Sequence, residues 1–388
     1  MSLLPLLSLP SLLSTGSPSR FAAVLASLLA ALSSAPAAAQ SDWARSAVPV
    51  YGPTAVLHGL NAYWTAPRAA AFATEAQALP QAVDALCRGS GDGQPTVNTP
   101  KAKHNAALNA AREQWRRSVQ AWERLSTVAV GPLVERRSLR QIDFAPTRPA
   151  LIEKAVRAAP ADAAAMERVG TPAKGLPALE WLLWTRPVAP GTPACRYAVE
   201  VARDIQREAQ ALQQAFGAAP KAGAAADSDA EGEVDEASVV AGSAEFVNQW
   251  VGGVERLRWA QMEKPLRAAA GRAPDWPRAA SGSSVASWRA QWEALRSLGV
   301  FAGGEAPLAG QGLVPLETWL RSKGRNPEAD RLVAAARNVD TRMQRIDPRR
   351  HATVLDAAKA LAALKRVAEA DVAPALEVSL GFSDADGD

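Results

Sequence analysis

The chain has 388 residues, 48% of them hydrophobic, with 43 basic against 39 acidic side chains and a formal net charge of +4. Charges of both signs are interspersed rather than gathered into a basic stripe, which excludes an electrostatic nucleic-acid binder. The length is too great for one ordinary core and predicts two domains.

Residues 1–39 read as a secretory signal peptide. Arg20 precedes an apolar stretch from Phe21 to Leu32, and the small residues Ala37, Ala38 and Ala39 close it. That stretch is too short to cross a bilayer. The mature protein is expected to begin near Gln40, without a transmembrane helix and soluble in the periplasm or cell envelope.

Alternating runs of β-branched and aromatic residues are scarce, whereas Ala, Leu, Arg, Glu and Gln dominate, so the expected class is all-α. Leu108, Trp115, Val119, Trp122 and Leu125 share one helical face. So do Val247, Val251, Val254 and Leu257; Val285, Trp288, Trp292, Leu295 and Leu298; and Leu332, Ala336, Val339, Met343 and Ile346. Further helices are expected at 54–87, 149–168, 175–184, 194–216 and 352–379, with Pro80 and Pro374 kinking or interrupting the first and last of these.

Between 217 and 242 the composition shifts to Ala, Gly, Ser, Asp and Glu, with Asp227, Asp229, Glu231, Glu233, Asp235 and Glu236 close together. The segment reads as a flexible acidic linker between a first bundle, 40–216, and a second, 243–388.

The two halves echo each other. Trp115 and Trp122-Glu123-Arg124-Leu125 correspond to Trp288 and Trp292-Glu293-Ala294-Leu295, and the pattern G-L-x-x-L-E-x-x-L occurs from Gly175 to Leu183 and from Gly312 to Leu320. Two similar helical bundles arising from internal duplication are therefore expected. In each echo the Gly is positioned to open a helix, with Glu180 or Glu317 a little over one turn in, where the helix dipole favours a carboxylate.

The chain has two cysteines, Cys87 and Cys195. An even number in an exported protein points to a disulfide, the alternative being two buried thiols.

These residues resemble the imelysin-like family, historically classed with the M75 peptidases. The resemblance rests on Ala85-Leu86-Cys87, on the Trp115–Trp122 helix with Gly131-Pro132-Leu133, and on Ile142-Asp143-Phe144. It rests further on the stretch from Lys174 to Leu183, on Phe246-Val247-Asn248-Gln249, and on the ending Val378 to Asp388. It implies two similar bundles, export to the envelope and a link to iron-regulated uptake, with envelope iron-uptake components as partners. The family's G-x-H-x-x-E signature implies a metal or substrate site. Here Gly175 and Glu180 match it, but Pro177 stands in place of the His, and proline offers no side-chain donor or acceptor.

Other chemistry finds little support. His58, His104 and His351 fall on different predicted helices, so no zinc ligand set is visible, and no nucleophile elbow, phosphate loop or dinucleotide fingerprint occurs. The remaining candidates are Glu123, Glu180, Glu293 and Glu317. Glu180 and Glu317 are the expected metal ligands if the bundles face each other, because oxygen ligands suit iron; the alternative is that each glutamate caps a helix or pairs with an arginine. Trp181, Trp184 and Trp319 flank the repeated motif, and Trp181 and Trp319 are candidates to line a haem pocket, with core packing as the alternative. The expected function is an envelope iron or haem uptake accessory or binding protein without peptidase activity. The alternatives are a metallopeptidase and a ligand-free interaction module for an uptake receptor.

Overall fold

The computed structural model describes residues 48–88, 99–218 and 236–381, and among them the backbone is helical with no β-strand. The expected signal peptide and residues 219–235 of the acidic segment lie outside the described residues.

Helix α1 (Pro53–Leu60) continues through a π-helical turn into α2 (Ala66–Arg88), and α3 (Thr99–Ser126) follows. Short helices α4 (Pro132–Glu135), α5 (Ser138–Ile142), α6 (Pro149–Ala158) and α7 (Ala163–Glu167) lead to α8 (Gly175–Glu180) and the long α9 (Pro193–Ala218). The second half comprises α10 (Glu236–Arg258), α11 (Lys264–Ala269), α12 (Ser284–Gly299), α13 (Leu316–Ser322), α14 (Asn326–Arg345), α15 (His351–Val367) and α16 (Ala373–Ala375). Helix α10 begins inside the expected linker, so residues 236–242 are ordered backbone. The helix is anchored from its third turn on, where Ser243, Phe246 and Val247 are buried, and residues 236–242 extend it outward.

The apolar stripes become two cores. One gathers α2, α3, α8 and α9 around Phe72, Trp115, Trp122, Leu179 and Ile205. The other gathers α10, α12, α13, α14 and α15 around Trp250, Trp288, Trp319 and Leu361. The chain crosses between them along the run from α1 to α2: Val56, Leu60 and Trp64, with Tyr51 just before α1, belong to the second core, while Ala69, Phe72 and Ala76 belong to the first. Residues 51–64 thus pack away from the 40–216 bundle expected from the sequence. The reason is a close approach across the fold: Gly59 lets the backbone of Gly312 come to where a Cβ would sit 2.6 Å from its carbonyl oxygen. Helices α3 and α12 form the seam between the cores.

Proline placement explains the four π-helical turns found among the described residues, Asn61–Thr65, Trp181–Thr185, Trp259–Glu263 and Ala368–Val372. Each ends two residues before a proline: Pro67, Pro187, Pro265 and Pro374. In each, the N–H just past the turn reaches five residues back, as from Ala66 to the Asn61 carbonyl and from Arg186 to that of Trp181. A proline ring clashes with the carbonyl four residues earlier in an α-helix, and a widened turn removes that clash. Pro374 therefore interrupts its helix as expected. Pro80 does not: α2 runs through it, and the ring is buried in the first core. The expected helix 149–168 is split instead, because Ala159 is left-handed (φ 48°) and Asp162 caps α7 by accepting the Ala165 N–H at 2.8 Å.

Candidate functional site

Motif helix α8 is fixed at both ends. Gly175 has φ 77°, and a Cβ there would lie 2.4 Å from the Ile142 carbonyl oxygen, so only glycine allows α8 to start against the Ile142–Asp143 turn. Trp115 of α3 donates its indole N–H to the Leu176 carbonyl at 3.0 Å. Pro177 is buried in the first turn of α8, where a missing N–H leaves no intrahelical bond unmade. At the other end, Glu180 accepts the Ser281 backbone N–H at 2.9 Å, which ties α8 to the loop between α11 and α12.

That loop carries Arg278, the centre of a buried ionic cluster. Its side chain is 5% exposed, its Nη2 lies 2.6 Å from Asp143 Oδ2 and 3.6 Å from Glu123 Oε1, and its guanidinium stands over the Trp115 ring at 5.7 Å. Trp122 Nε1 donates to the same Asp143 oxygen at 3.2 Å, and the Ser287 hydroxyl donates to Glu123. Arg278 is left-handed (φ 64°), a conformation that strains a side-chain-bearing residue. The Ser283 N–H and the Ser281 hydroxyl both donate to its carbonyl, at 3.0 and 3.1 Å, and hold it there.

Electrostatics separates the carboxylates. Burial pushes the Glu123 carboxyl up to about 7; Arg278 pulls against this shift and Asp143 adds to it. Burial opposes the charge on Arg278, but Asp143, Glu123 and Glu180 outweigh it and raise the guanidinium above its ordinary value. A permanent cation therefore faces carboxylates of which Glu123 exchanges its proton near neutrality.

The structure brings Glu123 and Glu180 to this cluster. Glu317 has a different surrounding: it accepts the Phe301 N–H at 2.9 Å and pairs with Arg321 at 3.0 Å. Gly312 does not open a helix, since α13 starts only at Leu316. Glu293 is a surface partner of Arg124 at 3.0 Å. Trp181 and Trp319 are 9% and 1% exposed, each within one of the two cores, so a haem face there would require repacking. Among the described residues no three His, Cys, Asp or Glu side chains gather as a metal site. Cys87 and Cys195 form a disulfide with a Cα–Cα distance of 5.5 Å, joining the end of α2 to the start of α9. Sequence reasoning missed Arg278, Ser281 and Ser287, which lie in or just after an aperiodic loop. Asp143 was visible only as part of the Ile142-Asp143-Phe144 turn.

The sequence matches the imelysin family, peptidase M75, over residues 65–373. An imelysin-like protein from Psychrobacter arcticum 273-4 has a similar structure, 19% identical with a TM-score of 0.63, the match covering 85% of this chain and 97% of that one. A "putative iron-regulated protein A precursor" from Parabacteroides distasonis ATCC 8503 is 15% identical with a TM-score of 0.57, over 81% and 93% of the two chains. No curated protein matches the sequence. With the motif helix and its surroundings placed, and most of its length matched, this chain belongs to the imelysin family.

Proposed function

We propose that this protein is exported to the cell envelope and serves iron or haem acquisition as a binding or accessory component, without peptidase activity. The observation that carries the second half is Pro177 beside an occupied Glu180. Zinc hydrolysis needs a set of His and carboxylate ligands and a base. The motif helix supplies a proline, one carboxylate already holding a backbone N–H, and the nearby Arg278 cation that repels a second positive charge. That donor set does not fit a resident catalytic metal, so iron enters this reading as cargo, free or as haem. The similarity to a protein described as iron-regulated supports the acquisition role.

The same reading takes the bundles as duplicates. In support, Trp122 and Arg278 share Asp143 as Trp292 and Arg296 share Asp340, and Glu180 and Glu317 each accept one backbone N–H. Glu180 and Glu317 are then the carboxylates to test. A second reading, an interaction module without a small ligand, is favoured by the partners both glutamates already hold, the Ser281 N–H for Glu180 and the Phe301 N–H with Arg321 for Glu317.

The test titrates the purified chain with ferric iron and with haem by calorimetry and absorbance, beside the Glu180→Gln/Glu317→Gln variant, and incubates it with casein with and without chelator. Stoichiometric binding weakened in the variant is expected. Binding of neither ligand overturns the binding role in favour of the interaction module, and chelator-sensitive casein cleavage overturns the absence of peptidase activity.

A further inference from the structure

Between α2 and α3 lies an open valley of about 390 Å³ that shares no lining residue with the Arg278 cluster. Arg68, Ala71 and Glu75 face it from α2, and Arg117, Ala121 and Arg124 from α3, each set at the three- and four-residue spacing that defines one helical face. Ala71 and Ala121 explain the gap, since at both positions a methyl group is all that enters the space between the helices.

The valley is lined by three guanidinium groups against one carboxylate, Glu75, with Thr74 and Gln120 as its other polar side chains, and Arg117 also donates to Gln114. Arg117 has Glu75 at 3.3 Å, and Arg124 has Glu293 at 3.0 Å. Arg68 forms no ion pair among the described residues. It lies over the Trp64 ring at 4.3 Å and makes only long hydrogen bonds, 3.3 Å to the Trp64 carbonyl and 3.4 Å to the Ser297 hydroxyl. Its Nε–H is buried without any partner. Burial lowers its pKa to about 10, which leaves it charged at neutral pH. Its charge is therefore not neutralised by a carboxylate at contact distance, and an anion seated in the valley would offset it. Three guanidinium forks against two carboxylates also leave a net positive charge and spare N–H donors.

We propose that this valley binds a small oxyanion, a carboxylate or a phosphate, with Arg68, Arg117 and Arg124 as its donors. The forked guanidinium matches the paired oxygens of those groups and no simple halide. The proposal is independent of the iron or haem reading, so either can fail alone.

Calorimetric titration of the full chain at low ionic strength with inorganic phosphate and with citrate tests it, with phosphatidylcholine vesicles containing phosphatidylglycerol as a parallel arm. Binding of free anion is expected, weakened about tenfold or more by Arg117→Gln and by Arg124→Gln, as loss of a charged hydrogen bond implies. Glu75→Gln, which removes the lining carboxylate, is expected to tighten it, a change that general loosening of the fold does not produce. Arg117 is exposed, so its variant folds whatever Arg68 contributes. Binding confined to the vesicles identifies a lipid headgroup as the source of the same chemistry. No binding in any arm, or binding indifferent to all three substitutions, overturns the proposal.

Discussion

Arg278 Nη2 lies 2.6 Å from Asp143 Oδ2, and this contact joins the loop before α12 to the turn after α5 across the seam of the two cores. Removing the guanidinium leaves Glu123 and Asp143 facing each other without a cation. Arg278→Met is therefore expected to destabilise the fold by about 3–5 kcal/mol, the usual penalty for breaking a buried pair from one side. Glu180→Gln keeps an oxygen for the Ser281 N–H and should cost under about 1 kcal/mol. Denaturant unfolding of the two variants checks the contrast; equal losses would mean that Arg278 is not the keystone of the cluster.

Glu123 makes stability depend on pH. Its folded pKa, about 7, lies above the ordinary 4.5, so the folded chain holds a proton that the unfolded chain releases. The contribution is complete below 4.5 and is lost as pH rises through about 7, with an amplitude of roughly 3 kcal/mol at 1.36 kcal/mol per unit. Glu123→Gln should remove that slope while keeping an acceptor for Ser287. Melting temperatures of both proteins across this range test it, and identical slopes would contradict it.

Gly175→Ala and Gly131→Ala separate steric from conformational strain. Both glycines have positive φ, 77° and 50°, but a Cβ at Gly131 meets nothing within 4 Å. The Gly131 variant should lose about 1–3 kcal/mol, the cost of holding an alanine at φ 50° and ψ −124°, outside the wells open to a side-chain-bearing residue. The Gly175 variant adds a clash with the Ile142 carbonyl and should lose several kcal/mol more or fail to fold. Thermal melts of the pair measure the difference.

The disulfide closes a sequence separation of 108 residues between Cys87 and Cys195. Cys87→Ala/Cys195→Ala is expected to lower stability by about 2–5 kcal/mol, because the unfolded chain regains the freedom of that loop. Unfolding of the wild type with and without reductant should reproduce the same loss.

Helix identity was legible in the residues because it is local. The stripe from Leu108 to Leu125 and that from Leu332 to Ile346 needed only their own spacing to declare a buried face. The Cys pair and the Gly175 motif were likewise readable, down to the loss of the motif His at Pro177. The π-helical turns left a signal too, a proline two residues beyond each, but it takes the backbone to show that Pro80 lacks one.

Partners across the fold were not legible. Nothing near Glu180 and Glu317 in sequence distinguishes a carboxylate facing Arg278 from one paired with Arg321, since the first partner is far along the chain and the second is one turn away. Which core takes residues 51–64 was likewise decided by the close approach of Gly59 to Gly312. Hydrophobic periodicity and residue chemistry act over a few residues and so fix the helices and their buried faces. Pairing of buried charges depends on which loops meet once those faces are covered, and only the packed tertiary structure, with Arg278 strained into place between Glu123, Asp143 and Glu180, settles it.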